Sequence, residues 1–228
     1  MATHQTLSGT SDEEFLQRLV SNHSERFGPD FWTMFTSRVA PVLPSQPVIV
    51  DLGCGPGLFL RDLGERYPQA TLFGYDLTPA MIAYGSQLPA TARRPTMEIH
   101  DVATQPLPHA SSSVHLVTMT SVLHVLDEPL PVLAEIRRVL APSGLFVLHD
   151  WIRMPLSTYL NWQQERQGEP PDVVRQRGFR VFPAHCKYTT DDWQWLLGEA
   201  GFVICHQTQL RPTHQVFVTT PADAARQR

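Results

Sequence analysis

The stretch Val48-Ile49-Val50-Asp51-Leu52-Gly53-Cys54-Gly55-Pro56-Gly57 passes from an apolar run of strand type into an acid, and then into glycines at alternate positions. It reads as a buried strand followed by a nucleotide-binding turn. Gly53, Gly55 and Gly57 supply φ values closed to other residues, and they leave no Cβ where a ligand must approach the backbone. Leu58, Leu60 and Leu63 fall at helical spacing in the segment Leu58 to Tyr67, so the unit is strand, turn, helix.

Spacing narrows the ligand. A dinucleotide turn needs Gly-x-Gly-x-x-Gly, and counting from Gly53 its last position falls on Leu58. No Lys-Ser or Lys-Thr pair follows the glycines, as a phosphate-cradling loop requires. The next strand, Thr71-Leu72-Phe73-Gly74-Tyr75-Asp76, ends in a carboxylate that can accept both hydroxyls of a ribose. A third candidate strand, Met97-Glu98-Ile99-His100-Asp101, ends in another acid. With Asp51, these acids suggest a ligand with a ribose, an adenine and a cationic portion, and no phosphate.

On these residues the chain resembles the class I S-adenosylmethionine-dependent methyltransferases, and more closely their small-molecule branch of the ubiquinone and menaquinone biosynthesis type. The resemblance rests on Val50 to Gly57, on Tyr75-Asp76-Leu77-Thr78-Pro79-Ala80-Met81, on His100-Asp101-Val102 with Leu107-Pro108 downstream, and on Val132 to Gly144 with its Glu135-Ile136-Arg137-Arg138-Val139-Leu140-x-Pro142-x-Gly144 pattern. It covers residues 45 to 150 well and 188 to 219 loosely. It implies an α/β fold: a Rossmann-like open sheet, mostly parallel with an antiparallel final strand, and helices on both faces. It also implies S-adenosyl-L-methionine as cofactor, with contacts from Asp51, Gly53, Cys54, Gly55, Gly57, Asp76, Leu77, Met81, Asp101, Val102 and Thr120. Asp51 would help to bind the ammonium, Asp76 the ribose, and Asp101 with Val102 the adenine.

A length of 228 residues with 42% hydrophobic and 18% charged residues suits one globular domain. The net charge of -4 and the lack of basic runs argue against nucleic acid or a membrane surface as partner. A small, mostly uncharged acceptor is the more natural partner, with a homodimer left open. Cys54, Cys186 and Cys205 show no paired metal spacing, so no metal site is expected and a reducing cytoplasm fits. Met1 to Ser21 carries Asp12, Glu13, Glu14 and Arg18, which does not read as a signal peptide, and no window reads as a membrane span.

Residues 1–10 are polar and read as disordered, and a helix should begin near Asp12 with Ser11 or Asp12 as cap. A helix from Pro29 would set Phe31, Met34 and Phe35 on one side with Trp32 beside them. That face either caps the core or forms a lid over the cofactor, as N-terminal helices commonly do in the family it resembles. Residues 1–44 are accordingly expected as an N-terminal helical lid, and residues 45–228 as the cofactor-binding domain with an inserted helical cover at 153–186. Tyr159, Trp162, Phe179 and Phe182 sit in that segment among Gln, Arg and Pro, a composition that does not name the acceptor.

Val114 to Thr120 should form a fourth strand, with His124 just beyond its carboxyl end as a structural histidine or a contact to cofactor or acceptor. Glu128 to Leu140 is an amphipathic helix stopped by Ala141-Pro142-Ser143-Gly144. The strand Leu145-Phe146-Val147-Leu148 then delivers His149-Asp150-Trp151 to the same edge. His149 is a candidate general base, although adjacent strand residues point to opposite faces, so one of His149 and Asp150 must be structural. A helix capped by Thr190 should end near Ala200-Gly201, ahead of antiparallel strands Phe202 to Leu210 and Gln215 to Thr219, and a polar tail from Pro221. The expected reaction is methyl transfer, with His149 and His124 as catalytic candidates. Two rivals share the fold: an enzyme that cuts the amino-acid side of the cofactor, and a non-catalytic binding protein.

Overall fold

Val48–Leu52 forms the expected strand, β1, and lies inside a seven-stranded sheet. The computed structural model describes residues 9–89 and 93–225. The other strands are β2 (Thr71–Asp76), β3 (Thr96–Ile99), β4 (Val114–Thr120), β5 (Leu140–Trp151), β6 (Phe202–Arg211) and β7 (His214–Pro221), in the spatial order β3-β2-β1-β4-β5-β7-β6. β1 pairs in parallel with β2 and β4, and β7 runs antiparallel between β5 and β6. The result is an α/β fold with a Rossmann-like, mostly parallel open sheet and an antiparallel final strand.

Ten helices accompany the sheet among the described residues: α1 (Asp12–Ser21), α2 (His23–Arg26), α3 (Pro29–Arg38), α4 (Leu58–Arg66), α5 (Pro79–Ser86), α6 (Pro129–Val139), α7 (Leu156–Gln167), α8 (Pro171–His185), α9 (Thr190–Glu199) and α10 (Ala222–Ala225). Side chains alternate across each strand, so neighbours serve opposite cores. Val50, Val117 and Phe146 pack with Leu133 and Ile136 of α6 and Trp193 and Leu197 of α9. Ile49, Leu116 and Val147 pack with Phe31 and Phe35 of α3 and Leu60 and Leu63 of α4 on the other face. Helices therefore cover both faces, and the continuous apolar run of β1 is explained by burial on both sides.

The N-terminal helices are tied down by polar contacts. Ser11 caps α1 in a reciprocal box, accepting the Glu14 N–H at 3.2 Å while the Glu14 carboxylate accepts the Ser11 N–H at 2.9 Å. His23 Nε2 lies 2.7 Å from Asp62 Oδ2 and links α2 to α4. The Arg66 guanidinium sits 3.7 Å from the Trp32 ring centre and links α4 to α3. Phe31, Met34 and Phe35 are buried on one side of α3, as their spacing predicts.

Some boundaries differ from the sequence reading. β3 stops at Ile99, which leaves His100 and Asp101 in the loop beyond it. Ala141 to Gly144 does not separate α6 from β5: the chain turns extended at Leu140, and the β4–β5 register slips so that Leu140 faces Val114 and Leu145 faces Leu116. The stop signal is thus a bulge inside a longer strand, held where Gly144 O accepts the Thr220 hydroxyl at 3.1 Å. Thr189, not Thr190, caps α9, because its hydroxyl reaches the Asp192 N–H at 3.1 Å. Pro221 to Ala225 is ordered: Ala222 N–H donates to Gly201 O at 2.8 Å, and Arg137 pairs with Asp223. The polar residues 1–8 and 226–228 lie outside the described residues. Among the described residues no helix is long and apolar enough to cross a membrane.

Candidate active site

The chain leaves β1 for β2 and β3 and returns to β4 on β1's other side. This reversal opens a crevice outside the carboxyl ends of the strands, where ligands bind in open α/β sheets. The crevice holds a cavity of about 590 Å³ that runs from the glycine turn and Asp76 to Trp151, His185 and Arg211. α1 contributes Phe15 and Leu19 to one wall, where the residue after α2, Phe27, joins them, and the 153–186 segment contributes Tyr159 and Trp162 to another.

The glycine turn is built for close approach. Gly53 has φ +69°, and a Cβ there would meet Val122 Cγ2 at 2.2 Å, so no other residue fits. Gly55, at φ +52°, donates its N–H to Asp76 Oδ2 at 2.8 Å, and Thr78 N–H reaches the other oxygen, Oδ1, at 2.9 Å. Two backbone donors thus fix the Asp76 carboxylate at the cavity wall, while each oxygen keeps further acceptor capacity. Asp51 lies deeper, 4% exposed, and accepts the Thr118 hydroxyl at 2.6 Å. Burial pushes its pKa up to about 7, opposed by that hydrogen bond and reinforced by Asp76.

At the far side of Asp76, Asp101 accepts Ala103 N–H at 3.0 Å and the Thr104 hydroxyl at 2.8 Å. His100 lies beside it, and its Nε2 is buried without a hydrogen-bond partner. Cys54, Leu77, Met81, Val102 and Thr120 also line the cavity. Gly57 does not: it leads into α4 at φ +74° with Met97 against its Cα, so its role is to start the helix.

The other end carries a chain of three polar side chains. Asp150 Oδ1 lies 2.6 Å from His124 Nδ1, and His124 Nε2 lies 3.0 Å from His185 Nδ1. Trp151 N–H also donates to Asp150 Oδ1, at 2.7 Å. The carboxylate is acceptor-only, so His124 donates from Nδ1, accepts at Nε2 from His185 Nδ1–H, and leaves His185 Nε2 as that ring's acceptor. His185 lines the cavity and stacks on Trp151 with centroids 4.9 Å apart. Burial, helped by His124 and by Arg18 and Arg26, pushes the His185 pKa down to about 3.

His149 and His124, the histidines singled out from the sequence, are not among the described residues that line the cavity. His149 is 1% exposed, both its ring nitrogens are buried without partners, and it packs against Phe31 at 5.8 Å and His214 at 5.5 Å. Burial, followed by Arg211 and Arg26, holds its pKa well below the ordinary range. Strand alternation sends Asp150 to the other side, toward His124, so the acid of the pair joins the site and the imidazole does not. His185 was not legible, because it closes a segment with no recognisable pattern. Arg26 and Arg211 also line the cavity, and nothing in their local sequence marks them.

The donor set fits S-adenosylmethionine. Asp51 offers a carboxylate for an ammonium, Asp76 offers two oriented oxygens for a ribose, and the unpartnered His100 Nε2 beside Asp101 offers a polar edge for an adenine. The left-handed turn at Gly53 and Gly55 lets the ligand lie against backbone.

The comparisons with known proteins agree. Residues 50–148 match a family described as methyltransferase domain. A malonyl-[acyl-carrier protein] O-methyltransferase of Hahella chejuensis is 39% identical over 101 residues, covering 43% of this chain and 34% of that protein. A trans-aconitate 2-methyltransferase of Methylobacterium nodulans is 33% identical over 143 residues, covering 61% and 50%. The chain thus spans half or less of the length of these curated relatives. Among solved structures, a plantazolicin methyltransferase in complex with a triazolic desmethylPZN analog and SAH superposes with a TM-score of 0.71 at 14% identity, covering 95% and 94%. That likeness concerns the fold. The matched residues include the glycine turn with Asp51, Asp76 and Asp101, so this part of the chain is similar to a methyltransferase domain.

Proposed function

We propose that this protein transfers a methyl group from S-adenosylmethionine to a small molecule of secondary or cofactor metabolism, held between the sheet edge and the helical cover. The observation that carries this reading is one continuous cavity joining the acid-lined glycine turn to the Asp150–His124–His185 chain. When bound, S-adenosylmethionine supplies a methyl group already activated on a cationic sulfur, so the protein has mainly to align the acceptor and take its proton.

On this reading Asp51 holds the ammonium, Asp76 the ribose, and His100 with Asp101 and Val102 the adenine. α1 and α2 act as the lid, while α3, with Phe31 and Phe35 buried, is the core cap. His185 takes the acceptor proton at Nε2 and passes its own Nδ1 proton to His124 Nε2. The positive charge then rests on His124 beside Asp150, which offsets the burial that disfavours it on His185 alone.

The test is the nucleoside product. Pure protein incubated with S-adenosylmethionine and candidate acceptors should yield S-adenosylhomocysteine only when a small acceptor is present. Methylthioadenosine accumulating without an acceptor would instead place the cut on the amino-acid side, and the methyl-transfer reading would fail while the cofactor assignment stood.

A further inference from the structure

The cavity wall farthest from the glycine turn holds more positive charge than its neighbours neutralise. Trp151 on β5 pairs with His214 on β7, and His214 pairs with Arg211 on β6, so these residues form one rung across three strands. All of them line the cavity. Arg211 Nη1 reaches Glu25 at 3.3 Å, and the same carboxylate pairs with Arg166. Arg26 lines the cavity too and forms no ion pair among the described residues. Two guanidinium groups therefore share the Glu25 carboxylate, and the other acid acting on Arg26, Asp150, is also hydrogen-bonded to His124.

Two donors on this wall are also left over. Arg211 Nη2 and Trp151 Nε1 are both buried and have no hydrogen-bond partner. Buried donors of this kind cost free energy unless something completes them, and a forked guanidinium is completed best by an oxyanion. Burial and the repulsion from Arg211 push the Arg26 pKa down to about 10, the direction expected when cations crowd together with too little counter-charge.

We propose that the acceptor carries an oxyanion, a carboxylate or a phosphate ester, and that Arg211 and Arg26 bind it with the Trp151 indole as a further donor. This rests on the methyltransferase reading above and names the substrate class of the same site. His185 stacks on Trp151, so the anchored end of the acceptor lies next to the group that takes its proton. The anion sets orientation and the neighbouring nucleophile is methylated.

The experiment uses three probes that share a ring and differ in charge: benzoate, phenyl phosphate and benzamide. Each is titrated into the full chain with and without S-adenosylhomocysteine, and binding is read by ligand-observed NMR. At least one anion should bind about tenfold or more tightly than benzamide, and Arg211→Gln and Arg26→Gln should each abolish that preference. The Arg26 variant is included because Arg211→Gln also breaks the Glu25 pair. Equal affinity for all three probes, or a preference that survives in both variants, overturns the proposal. The winning anion separates carboxylate from phosphate. Failure of S-adenosylhomocysteine to bind in the same samples would count against the methyltransferase reading, while the charge preference is still read from the titrations without it.

Discussion

His185 Nδ1 lies 3.0 Å from His124 Nε2, and through this contact the last residue of α8 becomes the outer member of a chain anchored at Asp150 on the sheet. Removing a positioned proton acceptor typically lowers turnover by about a hundredfold. His185→Ala should show that loss in kcat with S-adenosylmethionine affinity unchanged, and Asp150→Asn should shift the pH profile of kcat. His149→Leu should change turnover only a few fold, because its nitrogens are sealed between Phe31 and His214. A hundredfold loss in the Leu variant would return His149 to the chemistry.

Asp76 is held by the Gly55 and Thr78 N–H groups, so its two oxygens are set before any ligand arrives. Hydrogen bonds to a charged group are worth about 1.5 to 3 kcal/mol each. Calorimetric titration of Asp76→Ala with S-adenosylmethionine should therefore show affinity weakened at least about tenfold. An unchanged dissociation constant would remove Asp76 from the site.

Asp51 gives the site a pH dependence whose sign can be worked out. Its pKa of about 7, raised by burial, means that the carboxylate is protonated below that pH, whereas an ammonium ligand needs it ionised. Cofactor affinity should rise by about tenfold between pH 5.5 and pH 7, a range in which an α-ammonium stays protonated. Asp51→Asn should bind weakly and lose this dependence. In the ligand-free protein the same raised pKa acts on folding in the opposite direction: the stabilisation is complete below the unfolded-state pKa and declines as pH rises toward 7.

The N-terminal helices should separate by truncation. Deleting residues 1–22 removes α1 and its Phe15 and Leu19 from the cavity wall but keeps the His23–Asp62 tie. Circular dichroism should show a folded sheet, and cofactor affinity should fall about tenfold. Deleting residues 1–36 also removes Phe31 and Phe35, at 2% and 0% exposure, and large buried aromatics cost about 3 to 5 kcal/mol each. That protein should not fold stably. A folded product of the longer deletion would show that α3 is dispensable packing.

The glycine-turn end of the cavity was legible in the sequence because its signals are local. Gly53 and Gly55 need their conformation wherever the turn sits, and Asp51, Asp76 and Asp101 each stand at or just past the end of their own strand. The opposite end is assembled from residues far apart in the chain. His124 and His185 are 61 positions apart, and Arg211 and Glu25 are 186 apart, so no spacing rule brings them together. His149 was the conspicuous histidine of its strand; neither it nor Asp150 lines the cavity, and only Asp150 joins the polar chain, through His124. Which one did so depended on α3 packing over that face, a tertiary fact. The bulge at Ala141 to Gly144 escaped for the same reason: its proline and glycine read locally as a stop, and only the flanking Leu140 and Leu145 pairs with β4, with the Thr220 hydroxyl on Gly144 O, carry the strand through them.

The stretch matched to methyltransferase domains ends at Leu148, one residue before His149-Asp150-Trp151. The rung that joins Trp151, His214 and Arg211 therefore lies wholly downstream of it, on strands that take no part in the glycine turn. Inheritance can act on the two halves separately. On the proposed function, substitutions in the hairpin or the cover would change the acceptor contacts without touching Asp51 or Asp76, the residues proposed to hold the methyl donor.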